Sequence, residues 1–222
     1  KGCDEIVTML GSLGALFFTL RSVDTGKTKY GVFSAVSLFL GLLAKENTVT
    51  FLAVIPLALY YFRDITFTQQ VKAGIPLLIA FALFFVIRSA VLPELFSKPP
   101  MELMNNPYVK WTGDRWIEFT GGEKYATIIY TLGQYVKLLI APITLTHDYY
   151  PRHVGIMQFS DFSVIASLIL HILLAGYAVW RMWSGKRDVI SFGILFYLLT
   201  LSIVSNVIFP IGTNMGERFL FM

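Results

Sequence analysis

The chain is poor in charge and nearly free of cysteine. Only 14% of its 222 residues are Asp, Glu, Lys or Arg, against about 25% in soluble domains, which excludes an ordinary soluble globule. The single cysteine, Cys3, excludes an internal disulfide and leaves the redox compartment open. Histidine is scarce too, with three residues. Two of them sit in HDYYPRH (His147–His153), whose spacing matches no standard metal motif, so neither a metal site nor a cofactor is expected. There is no starting Met, no signal-peptide pattern, no internal repeat and no low-complexity tract. We read the chain as an internal fragment of a longer protein.

What fills the sequence instead is apolar: 55% hydrophobic and 15% aromatic residues. Stretches at Ile6–Leu20, Tyr30–Ala44, Thr48–Phe62, Ala73–Leu92, Ala126–Thr146, Phe162–Trp180 and Val189–Phe209 approach the roughly 17–25 residues that cross a bilayer as a helix. The fold expected is therefore an all-α polytopic membrane protein. Its net charge of +4 does not mark a nucleic-acid partner. Much of the excess base sits at Arg21/Lys27/Lys29 and Arg181/Lys186/Arg187, the pattern of short cytoplasmic loops beside a lipid bilayer. Gly11 and Ala15 form a small-xxx-small pair suited to close helix packing.

The basic loops set the topology. With Arg21–Tyr30 and Arg181–Asp188 inside, Lys1–Glu5 and Pro210–Phe219 lie outside. The apolar run Tyr30–Tyr61 holds Lys45-Glu46-Asn47 at its centre. As one helix it would be about 48 Å long against a hydrocarbon core of roughly 30 Å. As two short crossings it turns at Lys45 and spares a central lysine, a cost of roughly 2.5–3.5 kcal/mol. The hairpin is preferred. Parity then keeps Ala126–Thr146, which carries Gln134, Lys137 and Pro142, from crossing. The expectation is about six transmembrane helices plus one interfacial or re-entrant helix within an extracytoplasmic segment, residues 93–161.

This orientation gathers the polar clusters on the outer face: Asp4-Glu5, Lys45-Glu46-Asn47, Arg88, His147–His153 and Gly216-Glu217-Arg218. Each has a plain structural reading. Asp4 and Glu5 suit a helix N-terminus, Lys45 and Arg88 snorkel to headgroups, and His171 packs in a core. Together they suit an enzyme acting at the membrane surface, with cations facing a lipid phosphate and a carboxylate serving an acceptor hydroxyl. Trp111, Trp116, Tyr149 and Tyr150 offer faces for sugars, although interfacial anchoring is their commoner role. The competing classes are a polytopic solute transporter, which would carry polar groups through its midplane, and a non-catalytic membrane scaffold.

Five segments occur in order: GCDEI before an apolar span, LLAKENTVTFLAVIPL, RSAVLP with its NNPY loop, IAPITLTHDYYP, and FPIGTNMGERFLF. The series resembles the transmembrane, tetratricopeptide-repeat-containing O-mannosyltransferases and their bacterial relatives, of the GT-C glycosyltransferase superfamily. The resemblance implies that residues 1–222 belong to a single GT-C-like membrane domain. That domain would transfer a sugar from a polyprenyl-phosphate donor to a hydroxyl acceptor, on a protein or glycan, outside the cytoplasm. The membrane implied is the bacterial inner membrane, or that of the endoplasmic reticulum in a eukaryote.

By the same resemblance, Asp4 and Glu46 are the catalytic candidates, and Lys45, Arg88 and Arg218 hold the donor phosphate. His147, Asp148, Tyr149 and Glu217 take sugar or acceptor. The family's principal catalytic aspartate is expected upstream, in a first outer loop outside this chain, and its tetratricopeptide repeats downstream. Cys3 stands where arginine is more usual. The fragment alone is expected to be inactive.

Overall fold

A computed structural model describes residues 3–92, 106–143, 145–146, 149, 152–208 and 210–221. Its elements are α1 (Cys3–Thr25), α2 (Thr28–Ala44), a 3-10 turn (Glu46–Thr50), α3 (Phe51–Phe62), α4 (Phe67–Val91), β1 (Val109–Trp111), β2 (Trp116–Glu118), α5 (Gly121–Ile140), α6 (Phe162–Trp183), α7 (Val189–Ser202) and a second 3-10 turn (Glu217–Phe221). Three helices, α1, α4 and α6, are long and apolar enough to cross a membrane; α2, the 3-10 turn with α3, and α7 are apolar but shorter. The chain divides into two compact units: Lys1–Phe96 with Arg181–Thr200, and Ser97–Trp180 with Leu201–Met222.

The first unit is built on α1 and α2, which reverse through Gly26 and Lys27. Gly26 has φ +67°, a left-handed conformation that glycine adopts without steric penalty. The basic stretch Arg21–Tyr30, expected as a loop, is thus mostly helix. The two backbones touch at Gly11 and Gly41: a Cβ on Gly11 would lie 2.7 Å from Gly41 Cα and 2.8 Å from the Ser37 carbonyl oxygen. Ala15 on the same face is fully buried, so the small-xxx-small reading holds. Further along, the Thr19 and Ser34 hydroxyls lie 2.6 Å apart over the Ala15 carbonyl. Leu38, Leu42, Phe51, Val54, Ile55, Leu59, Leu77 and Phe84 close the apolar core around this pair.

The run Tyr30–Tyr61 is not one helix. Lys45 is extended (φ −163°, ψ 140°), the 3-10 turn follows, and α3 returns. Its direction is fixed by ion pairs. Glu5, at the start of α1, meets Lys45 after α2. Arg63, just past α3, meets Asp24 near the end of α1 through Nε (2.7 Å) and Nη2 (2.9 Å). α4 then leads back, because Arg88 near its end reaches Glu46 at 2.5 Å. At the Asp24–Arg63 end the chain re-enters the unit, where Arg187 pairs with Asp64 at 2.6 Å and Arg181 with Asp188 at 2.7 Å. The Ser191 N–H and the Arg181 guanidinium beside Asp188 hold its carboxyl below the usual range.

Three helix boundaries depart from the hydropathy reading for identifiable reasons. α4 begins at Phe67 rather than Ala73 because Thr66 and Gln69 form a reciprocal capping box. α5 spans Gly121–Ile140 rather than Ala126–Thr146: Thr120 and Glu123 form the same device at its start, and Pro142 cannot continue it. α7 stops at Ser202 rather than Phe209. Beyond it Asn206 is left-handed (φ 62°), and its amide both donates to the Thr213 carbonyl at 2.8 Å and accepts from the Ile211 N–H at 2.9 Å.

The described chain is mostly helical, as expected, with one short exception. In the second unit β1 and β2 pair antiparallel with Trp111 opposite Trp116, through a turn containing Gly113 at φ +99°. β-branched and aromatic residues at these positions favour a strand. The Trp rings pack edge-on, 5.3 Å apart. Lys110 on β1 ties the hairpin to α5 through Glu123 at 2.6 Å. α5 and α6 approach closely at Gly133, where a Cβ would lie 2.9 Å from the Ser167 side chain.

Two outcomes follow from these contacts. Gly11→Val forces α1 away from the α2 backbone and should cost about 1–3 kcal/mol. Gly176→Ala, inside α6 with nothing within 4 Å of the new Cβ, should stabilise by up to about 1 kcal/mol; thermal unfolding of the two purified variants in detergent compares them. The second concerns acid. The Lys110 ammonium, then the Thr120 N–H, hold Glu123 below the usual carboxylate range. A depressed folded pKa contributes stability that is present above the ordinary value, about 4.3, and is lost as pH falls through the folded value. Amide exchange in residues 109–123 should therefore accelerate, relative to the rest of the second unit, from about pH 4 downward. Glu123→Gln should remove that pH dependence.

Candidate functional site

The first cluster is carried by the ends of α1, α2 and α4 in the first unit. Lys45 leaves α2 in extended conformation, which swings its side chain back toward α1. It pairs there with Glu5, the neighbour of the catalytic candidate Asp4. Asp4 is exposed on the first turn, whereas Glu5 is buried on the α1 face that packs against α2. The Lys45 and Glu5 side chains retain 24% and 11% of their exposure. One helical turn along, Thr8 and Ser12 continue the same face and are fully buried. The i, i+3, i+7 spacing of Glu5, Thr8 and Ser12 is the signal that singles out Glu5 over its neighbour.

Glu46, the second catalytic candidate, is exposed and bound to Arg88. Two of the three cations named as phosphate ligands, Lys45 and Arg88, thus carry a carboxylate partner. That matters chemically in two ways. An ammonium has three donors and a guanidinium five, so a cation held by one carboxylate is oriented and can also serve a phosphate. A carboxylate oxygen that faces a cation has that lone pair engaged, so it serves first to orient the cation. The geometry suits Glu5 and Glu46 to positioning cations better than to removing a proton.

The second cluster lies in the second unit. Glu217 accepts from the Thr146 N–H at 2.6 Å and from the Tyr149 phenol at 3.1 Å. It therefore joins two candidates 68 residues apart. Burial, then the Glu217 carboxylate, raise the Tyr149 phenol above its ordinary value. The Tyr149 ring meets His153 edge-on at 5.4 Å. Arg218 is exposed and lies over the Phe219 ring at 5.4 Å. The turn that carries both is anchored from α5, where the fully buried Tyr135 phenol accepts the Gly216 N–H at 3.1 Å. His147, Asp148 and Tyr150 lie outside the described residues.

Other motif residues fall to structural roles. Arg152 donates to the Val109 carbonyl and lies over Phe119 at 5.8 Å, bracing the hairpin. His171 Nδ1 is 2.8 Å from the Ser167 carbonyl, in keeping with a packed helix histidine. Sequence reading missed the Tyr130–Gln134–Lys137 face of α5. With Tyr149, His153 and Met215 it lines a cavity of about 160 Å³, and its i, i+4, i+7 spacing was the available signal.

No protein-family model, no curated protein and no solved structure matches this chain. The reading of its function rests on the chain's own residues.

The Glu5–Lys45 pair gives a direct energetic expectation. Removing one partner strands a partly buried charge, a loss of about 3–5 kcal/mol when burial is complete and less here. Glu5→Gln and Lys45→Met should each lower thermal stability, and the double variant should recover part of the loss. A coupling of about 0.5–3 kcal/mol in a double-mutant cycle is the expected outcome. A coupling near zero removes the pair as an organiser of the cluster.

Proposed function

We propose that the protein is a membrane glycosyltransferase of the GT-C type, an O-mannosyltransferase by resemblance. In this reading it moves a sugar from a polyprenyl-phosphate donor to a hydroxyl acceptor at the extracytoplasmic face. Six crossings and a non-crossing α5 belong to the same proposal. The observation that carries it is the set of two cations, Lys45 and Arg88, at one end of the first unit, each oriented by its own carboxylate.

The chemistry is an inverting displacement. The acceptor oxygen attacks the anomeric carbon, the bond from that carbon to the phosphate oxygen breaks, and the lipid phosphate leaves with the electron pair. A base removes the acceptor proton. Negative charge grows on the phosphate as the bond breaks, so a cation fixed beside it is worth more in the transition state than in the ground state. Lys45 is assigned that role, with Arg88 as its companion. The Tyr149–Glu217 pair is assigned to the sugar or acceptor, and Arg218 remains a phosphate candidate. The base is expected outside the Glu46–Arg88 pair.

The transporter reading is weaker. A permeation path needs space along its polar residues, whereas Thr8, Ser12 and Thr48 lie where Gly11 packs directly on Gly41 and Gly41 on Thr48. The scaffold reading draws on a specific feature: a cation already paired with a carboxylate is satisfied without any ligand.

Lys45→Ala in the full-length protein decides between enzyme and scaffold. Loss of a preorganised charge at a leaving group should lower turnover about 10²–10³-fold, read in a transfer assay at saturating acceptor and varied donor. Lys45→Arg need not restore it, because the guanidinium is planar and longer. Unchanged donor kinetics in Lys45→Ala at equal folded protein would return this residue to a structural role.

A further inference from the structure

Tyr130, Gln134 and Lys137 share one face of α5, and the cavity in front of them is closed by Tyr149, His153 and Met215. Its volume of about 160 Å³ is many times the roughly 10–15 Å³ that one water needs. The lining is rich in donors. Lysine offers three and no acceptor, and the amide, the phenols and the imidazole add more. No carboxylate is among the described residues that line it. Glu217, joined to Tyr149, is engaged by the Thr146 N–H and the Tyr149 phenol. A cavity whose described lining holds a lysine, several further donors and no acid is complementary to an anion.

The chain around the lining residues Leu138 and Ala141 points to what the anion is attached to. Directly beyond Lys137, Leu139, Ile140, Ile143 and Leu145 are exposed at 55%, 80%, 85% and 67%. Four large exposed apolar side chains that follow the lining lysine and flank the lining residues Leu138 and Ala141 in sequence fit a molecule with a charged head and hydrocarbon tails. A free hydrophilic anion would leave them bare.

We propose that this cavity binds the phosphate of an anionic bilayer phospholipid. Lys137 provides the charge, Gln134 and Tyr130 provide hydrogen bonds, and the acyl chains cover Leu139, Ile140, Ile143 and Leu145. The site lies wholly within the second unit; it shares Tyr149 with the sugar or acceptor reading and none of the cations assigned to the donor phosphate. It gives α5 a reason to rest on a membrane surface, since each basic residue near an anionic headgroup layer adds about 1 kcal/mol of attraction.

The test uses the full-length protein, purified in neutral detergent, and a fluorescent phosphatidylglycerol as the probe. Unlabelled phosphatidylglycerol should displace it, phosphatidylcholine should do so at least about fivefold more weakly, and millimolar inorganic phosphate should displace little. Lys137→Gln should weaken probe binding about fivefold, Lys137→Arg should retain it, and Lys27→Gln should leave it unchanged. Lys137 is exposed, so Lys137→Gln folds, which its unfolding temperature checks. Three results overturn the proposal: phosphatidylcholine competing as well as phosphatidylglycerol, inorganic phosphate displacing the probe fully, or Lys137→Gln binding like the parent. Displacement by a polyprenyl phosphate more tightly than by phosphatidylglycerol would also overturn it, by assigning the cavity to the sugar carrier. The first three results leave the Lys45 transfer reading untouched, and the fourth moves the carrier without deciding the transfer assay, so the two readings fail separately.

Discussion

The contact between Gly11 and Gly41 is the constraint on which the first unit depends. Helices that face hydrocarbon gain nothing from burying apolar side chains against each other rather than against lipid, so close backbone approach and hydrogen bonds do the work of association. With no side chain at either glycine, α1 and α2 meet at backbone distance, and their relative register has no room to slide. That register puts Glu5 opposite Lys45 at one end and Thr19 opposite Ser34 further along. The far end of α1 then stands where Asp24 can receive Arg63. Ion pairs that look separate along the chain are outcomes of one steric fit.

The same fit bears on the chemistry. A flexible lysine at a membrane surface samples many positions and loses rotamer freedom when it is held. Lys45 is held before any ligand arrives, because the helix breaks at Lys45 itself and Glu5 fixes its head. Arg88 is held from the opposite side by Glu46. Preorganisation of this kind lets a charge act on a developing anion without rearrangement. It is costly to build around an unpaired cation in a partly buried position, which accounts for a carboxylate beside each one.

Much of the architecture is legible from the residues, and the misses have physical reasons. Low charge and long apolar runs mark a membrane-type helical chain. The chain reversal at Lys45 follows from length and from the penalty on a central charge. Hydropathy alone placed the starts of α4 and α5 too late, because a helix begins where its N–H groups are capped and not where it becomes apolar. Thr66–Gln69 and Thr120–Glu123 carry that information three residues apart. The β hairpin is too short for periodicity to register. Within the candidate site, the lysine and arginine were legible as charges out of place, and Glu5 was hidden by the acid next to it. The junction of Tyr149 with Glu217 depends on contacts across 68 residues. The anchoring of Gly216 by Tyr135 spans 81. No local pattern encodes either.

The first unit is discontinuous: its last piece, Arg181–Thr200, is separated from the rest by the 84 residues of Ser97–Trp180. Arg63 and Asp64, adjacent in sequence, are claimed by opposite parts of that assembly, Asp24 behind them and Arg187 far ahead. A chain emerging from the ribosome can close the Asp24–Arg63 pair as soon as α3 is made. Asp64 must wait, with Tyr60 and Tyr61, until Arg187, Met182 and Ser191 have been synthesised. The contacts of this unit therefore become available in two groups, the second only after the 84 intervening residues have been made. Until then Tyr60, Tyr61 and Asp64 have no partner from Arg181–Thr200.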